Sequence, residues 1–382
     1  MKKVLFIALS AGVALAACTK NEVKPVNVDQ EITFQTVVNK ASTKAMIDGS
    51  TYDTGNTFGT VAYLEPAGGN SASVYIETSE VKFNTTYWST DTKYYWPVQG
   101  SLSFMSYSPY KYRESDSTDI LVGHEYNKLN ISNYDVASHQ ETDLMVAEIK
   151  KGQKANSTQS GAWQKGVPTI FHHKLSQVVA INFQTVDTEN PSIVKDYANT
   201  RDGSENHKYK SGDQQYFINE VSFKNTYFKG SYVYDGTAET ASESWTKGAT
   251  SVESTGWYKE TTANSSGKFS GGTFNTTNNQ NGGLNYLLVL PQTFTNTGSK
   301  DQALYIKYTV RTYYKNDVLA TANTGYTDEV IETTVPLYKI HATDNKWDMN
   351  KKITYTISLT KQRIYWDPSV VDWTPESPSV SI

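Results

Sequence analysis

Glu31-Ile32-Thr33-Phe34-Gln35-Thr36-Val37-Val38 alternates apolar and polar positions near the start of the chain. Ile32, Phe34 and Val38 share one face, which Thr36 completes, and this period of two is that of a strand with one side buried. The same grammar recurs downstream. Phe58 to Leu64, Val74 to Ile76, Val81 to Phe83, Tyr87-Trp88, Tyr94 to Pro97 and Leu102 to Tyr107 are short aromatic or β-branched runs. Turn residues such as Pro66-Ala67-Gly68-Gly69-Asn70 and Gln99-Gly100 separate them. Many short strands at this spacing predict an all-β sandwich or barrel.

The second half repeats the pattern. Val167 to Phe183, Tyr216 to Phe223, Gly230 to Tyr234, Tyr286 to Leu290, Ala303 to Tyr313, Glu329 to Leu337 and Ile353 to Leu359 read as strands. Asp143 to Ile149 fits a strand or a short helix. Lys150 to Lys165, rich in Gly, Ser, Gln and Lys, marks a domain boundary near residue 160. Gly236 to Gly283 is long for a loop and is expected to be a surface excursion with a hairpin. Pro368, Pro375 and Pro378 confine the last run, Ile364 to Ile382, to edge or irregular positions.

Composition agrees with strands and turns. The chain has 382 residues with 27 Tyr, 13 Phe and 8 Trp, and abundant Thr, Val, Ser and Asn. Its net charge of −4, with basic residues scattered, argues against nucleic acid as a partner. The single cysteine excludes an internal disulfide framework. That cysteine, Cys18, closes the amino-terminal segment. Met1-Lys2-Lys3, an apolar run from Val4 to Leu15 and the small residues Ala16-Ala17 form a secretory signal peptide. The run is too short to span about 30 Å of hydrocarbon. Leu15-Ala16-Ala17-Cys18 resembles a bacterial lipobox, so residues 1–17 are expected to be removed and Cys18 acylated. The 18–44 segment then comprises a polar tether and the first strand, followed by the connector around Thr43-Lys44-Ala45.

Catalytic templates are missing: there is no G-x-S-x-G, P-loop, H-E-x-x-H or G-x-G-x-x-G after a strand. His172 and His173 are adjacent on a predicted strand and point to opposite faces, so one metal ion does not suit both. The sequence therefore calls for no enzyme activity, no cofactor and no metal. Trp245 and Trp257 suggest an alternative, a monomeric outer-membrane surface lipoprotein that binds glycans.

Seven further pieces occur in order behind the lipobox: Tyr95-Trp96-Pro97 with Leu102-Ser103-Phe104; Tyr107-Ser108-Pro109; Asp143-Leu144-Met145-Val146-Ala147; Phe171-His172 with Leu175-Ser176; Leu287-Leu288-Val289-Leu290-Pro291-Gln292; Trp347 with Tyr355-Thr356-Ile357; and Val371-Asp372-Trp373. With them the chain resembles the fimbrillins, pilin subunits of Bacteroidales type V pili in the fimbrillin-like or Mfa-like group. The resemblance implies two transthyretin-like β-sandwich domains in tandem, at 45–160 and 161–382. It implies a lipid-anchored precursor at the outer membrane and then a fimbrium at the cell surface, serving adhesion or biofilm formation. The partners would be other pilin subunits, joined by donor-strand exchange, and a host or bacterial surface receptor. Carried onto this sequence, the removable strand holds Ile32, Phe34 and Val38, and the donor is the tail from about Val370, with Val371, Trp373, Val380 and Ile382. Many family members offer an arginine for maturation, whereas here the connector reads Thr43-Lys44-Ala45. Either cleavage follows Lys44, or the subunit keeps its first strand and serves as an anchor or terminal unit.

Overall fold

The computed structural model describes residues 26–38, 52–69, 71–111, 120–140, 142–155, 166–185, 208–249, 255–259, 286–298, 300–319, 322–359 and 364–372. Nearly every element in them is a strand. The first half carries β1 (Val26–Glu31), β2 (Phe34–Val38), β3 (Phe58–Glu65), β4 (Ser73–Phe83), β5 (Trp88–Thr90), β6 (Tyr95–Pro97) and β7 (Ser101–Ser108). It continues with β8 (Val122–Glu125), β9 (Lys128–Asp135), β10 (Met145–Ala147), β11 (Lys150–Gln153) and β12 (Val167–His173). The second half has β13 (Ser176–Thr185), β14 (Lys208–Tyr209), β15 (Gln214–Lys224), β16 (Lys229–Asp235), β17 (Ser242–Lys247), β18 (Thr255–Lys259) and β19 (Leu287–Val289). It ends with β20 (Gln292–Thr293), β21 (Ala303–Tyr313), β22 (Val318–Leu319), β23 (Tyr326–Pro336), the one-turn helix α1 (Leu337–Ile340), β24 (Lys346–Trp347), β25 (Lys351–Leu359) and β26 (Ile364–Asp372).

The first sheet has the order β10-β12-β2-β5-β4-β3-β7-β11, and β10 also pairs with β7, so this sheet closes on itself. Its strands β3 and β7 are buried along almost their whole length because they are packed on both faces. Ala62, Leu64, Leu102 and Phe104 point into the closed sheet with Ile32, Phe34, Phe58, Trp88 and Phe171. Val61, Tyr63, Met105 and Tyr107 point the other way, into a larger core shared with second-half residues such as Phe223, Trp347 and Tyr355. Alternating side chains along one strand thus serve two cores.

Two sandwich-like sheets of the second half, β19-β13-β25-β26 and β18-β15-β21-β23, cover the larger core. A fourth sheet, β17-β16-β9-β8, takes two strands from each half, with Tyr232 of β16 opposite Ile131 of β9. The boundary expected near residue 160 lies outside the described residues. Sheet membership changes between His173, the end of β12, and Ser176, the start of β13. Of the ambiguous segment Asp143 to Ile149, Met145–Ala147 is a strand. The excursion after Gly236 supplies β17, which pairs with β16, and β18, which pairs with β15. β26 lies at a sheet edge with Pro368 opposite Tyr355, as the missing N–H of proline requires.

Three buried polar side chains of the larger core, Tyr355, Trp347 and His341, are bonded to one another. The Tyr355 hydroxyl accepts from Trp347 Nε1 at 2.8 Å and bonds His341 Nε2 at 2.8 Å. Tyr355→Phe removes the hydroxyl that both rings share and is expected to lower stability by about 1–3 kcal/mol. Urea denaturation with an unchanged m-value is the check.

Candidate functional site: the slot of the first strand

β2 runs through the middle of the first sheet although the segment 26–38 lies before every other described element in the chain, and β1 forms a separate two-stranded sheet with β6. β2 pairs in parallel with β12, from Phe34 opposite Val167 to Val38 opposite Phe171. On its other side it meets β5 at one position, Phe34 opposite Trp88. β1 pairs with β6, with a register shift between Val26 and Glu31. The expected single strand from Glu31 to Val38 is therefore broken at Ile32-Thr33, where the chain passes from one partner to another. Ile32 N donates to Tyr94 O at 2.8 Å, and Val167 N donates to Thr33 O at 2.7 Å. At the surface the Glu31 carboxylate meets Lys93 Nζ at 3.2 Å.

Ile32 and Phe34 are 1% and 2% exposed. The Phe34 ring lies edge-on to Phe58 and Phe104, at centroid distances of 5.7 and 5.9 Å. Burying two such side chains contributes on the order of 1.5–3 kcal/mol each. The Val38 backbone lies opposite Phe171 at the end of β2. Sequence reading missed two residues that shape the slot. Tyr52 re-enters the same core after the connector: it stacks on Phe171 at 5.0 Å, and its hydroxyl bonds Ser108 Oγ at 2.7 Å and donates to Thr57 O at 2.9 Å. Burial pushes its phenol pKa up. Gly166 has φ +89°, and a Cβ there would lie 2.5 Å from Thr33 C and 2.6 Å from Phe34 N. The turn Asp53-Thr54-Gly55-Asn56 after Tyr52 hints at an anchored entry, but nothing in the sequence marks Gly166.

Cys18, Lys44, Ala45, Trp373, Val380 and Ile382 lie outside the described residues. Val371, expected in the donor, has its backbone paired with Lys352 in β26.

His172 and His173 take different partners, as their opposed faces require. His172 Nε2 lies 3.2 Å from Glu148 Oε1, and His173 Nδ1 bonds Asp143. The hydrogen bond from His172, with a second from Lys150 Nζ at 2.6 Å, holds the Glu148 carboxyl at a pKa of about 2. Next in the chain, buried Lys174 reaches Glu243 Oε2 at 2.6 Å. Trp245 is half-buried, donates its indole N–H to Lys174 O at 2.7 Å and packs near Tyr232. Its ring is thus engaged internally. Among the described residues no group of three or more His, Cys, Asp or Glu is placed to hold a metal ion.

The fold is all-β, with β2 set between strands that come later in the chain. The profile of the fimbrillin-like family matches residues 43–373, and the chain belongs to that family. A crystal structure of a fimbrial protein from Bacteroides vulgatus ATCC 8482 has a similar fold, with a TM-score of 0.56 at 16% identity over 90% of this chain and 100% of that one. A putative cell adhesion protein from Bacteroides uniformis ATCC 8492 gives 0.46 at 15% identity, covering 91% and 100%. The tip fimbrial protein Mfa3 from Porphyromonas gingivalis, with a C-terminal truncation, gives 0.35 at 10%, covering 83% and 94%. No curated protein matches the chain. Family membership makes this a pilin-like subunit of the cell surface, one that associates with other subunits.

Two tests follow from the slot and its rim. Gly166→Ala introduces positive-φ strain of about 1–3 kcal/mol and a clash with the Thr33–Phe34 backbone. Amide exchange is expected to accelerate at Ile32 and Val167 while β13 and β25 stay protected. For Glu148, whose folded pKa lies below the ordinary 4.5, the stabilising contribution is full above about pH 4.5. It is lost as pH falls towards about 2, so the melting temperatures of wild type and Glu148→Gln should converge over that window.

Proposed function

We propose that this protein is a structural, non-catalytic pilin subunit, exported as a lipoprotein acylated on Cys18 and assembled by strand exchange. One observation carries the reading. A strand from the start of the chain fills the middle of a sheet and connects to the rest only through residues 39–51. Cutting that connector after Lys44 frees segment 26–38 from its covalent link, while Tyr52 keeps the downstream end packed. Its departure leaves β12 and β5 as open edges over the cavity vacated by Ile32 and Phe34. Unpaired edges over an apolar groove are unfavourable in water, so a strand from a second subunit is drawn in. Refilling these pockets supplies several kcal/mol before the cost of ordering the incoming strand. The family match supports this division, since it begins at residue 43, beyond β2.

The donor is the tail. With Val371 held in β26, the role falls to the residues beyond Asp372, namely Trp373, Val380 and Ile382. Val380 and Ile382 have the i, i+2 spacing of Ile32 and Phe34. The glycan-binding alternative on Trp245 loses support because that ring is packed and hydrogen-bonded within the fold.

Limited digestion with a lysine-specific protease tests the assignment. The full chain should yield Ala45 as its new amino terminus and a ladder of oligomers in unheated gels. A chain ending at Asp372 should be cut equally and remain monomeric. A ladder from that truncated chain would remove the donor assignment.

A further inference from the structure

Segment 26–38 is not held evenly along its length. Around Ile32 and Phe34 it is gripped from several sides. Phe34 lies opposite Val167 of β12 on one side and Trp88 of β5 on the other. The Ile32 and Phe34 side chains are buried in the closed sheet, Ile32 N donates to Tyr94 O, and Thr33 O accepts from Val167 N. Ahead of these residues β1 pairs with β6, at Val26 opposite Pro97 and Glu31 opposite Tyr95. β6 is itself braced, because the Tyr75 hydroxyl donates to Tyr95 O at 2.5 Å.

The other end differs. From Gln35 to Val38 the backbone is paired with Pro168 to Phe171 of β12, and among the described residues no strand flanks it on the opposite side. β5 does not continue there because the chain before Trp88 turns: Asn84 Oδ1 accepts from Thr86 N at 3.1 Å and from Tyr87 N at 2.9 Å. The remaining pairing with β12 is parallel, a ladder slightly weaker per residue than an antiparallel one. Gln35 and Thr36 are half-buried, and the connector leaves the fold from this same end.

Such a gradient sets the order in which a strand parts from its sheet, since local opening begins where contacts are fewest. Taking strand exchange as proposed above, we infer that a cut in the connector does not by itself release segment 26–38. An incoming strand displaces it from the Val38 end, lies parallel to β12 and replaces one pairing at a time towards Phe34, and β1 on β6 is the last contact to part. The partner this slot accepts is therefore an extended apolar segment running in the direction of β2. Exchange by this route avoids an empty slot, in which open edges and apolar surface would face water together.

The test uses the full chain nicked within residues 39–51 by the lysine-specific protease. Fluorescently labelled synthetic peptides of the chain's own sequence serve as the incoming strand, so the result does not depend on which segment is the natural donor. On gel filtration the amino-terminal fragment should still elute with the body. Fluorescence anisotropy should show peptide 30–38 entering the nicked protein at a rate that rises in proportion to its concentration. Peptide 26–34, equal in length but without residues 35–38, should enter at least tenfold more slowly. The inferred order is overturned if the fragment is lost on gel filtration, if the rate is independent of peptide concentration, or if peptide 26–34 enters as fast as peptide 30–38. Entry of neither peptide, with the fragment retained, overturns the order together with the strand-exchange reading on which it rests.

Discussion

The structure depends on the contact between β2 and its two neighbours. Without Phe34 and the backbone of residues 34–38, β12 has no partner between it and β5, and the first sheet is open. The inner core of that sheet would face water at the same place, because Phe34 touches Phe58 and Phe104 directly. A strand this central is normally held by chain on both sides. Here the preceding chain, β1, is held by β6 alone, the following chain is the connector, and the core on the far side of the connector is secured separately by Tyr52.

The two halves are not free to act apart. β8 and β9 from the first half and β16 and β17 from the second form one sheet, and the outward faces of β3 and β7 pack into the second-half core. The chain crosses between sheets at Lys174-Leu175, and Lys174 is buried against Glu243 with its ammonium over the rings of Tyr232 and Tyr234 at 5.7 and 5.8 Å. Burial lowers the Lys174 pKa, and the Glu243 carboxylate opposes that shift. An ion pair in such surroundings favours one arrangement of the groups around it, since separating the partners strands a charge away from water.

Much of this was legible in the sequence where alternation is local. Ile32 and Phe34 read correctly as one buried face, and His172 and His173 as facing apart, because a period of two follows from strand geometry alone. The edge position of Pro368 was legible for the same kind of reason. The break at Thr33 was not, because it arises from a change of partner and not from residue type. Closure of the sheet through Tyr107–Val146 and the pairing of Tyr232 with Ile131 were also hidden. Such pairings join residues about 40 and 100 positions apart, and each strand's own pattern is compatible with many partners. Leu102 and Phe104 were visible as a face, whereas Met105 and Tyr107 on the opposite face became meaningful only once a second core lay behind them.

In a polymer of the proposed kind, load enters where a donor strand lies against β12 and leaves through the tail beyond Asp372. These points are close in the topology. Asp372 pairs with Lys351, Lys351 pairs with Ser176, and Ser176 lies three residues beyond the end of β12. Tension therefore passes from β26 through β25 into β13 and directly into β12, without crossing the β15-β21-β23 sheet. β13 and β25 are joined in parallel from Ser176 opposite Lys351 to Thr185 opposite Leu359, so many backbone bonds bear a pull along the strands together and do not open one at a time. The sheets β18-β15-β21-β23 and β17-β16-β9-β8 can then carry exposed surface without lying on that path.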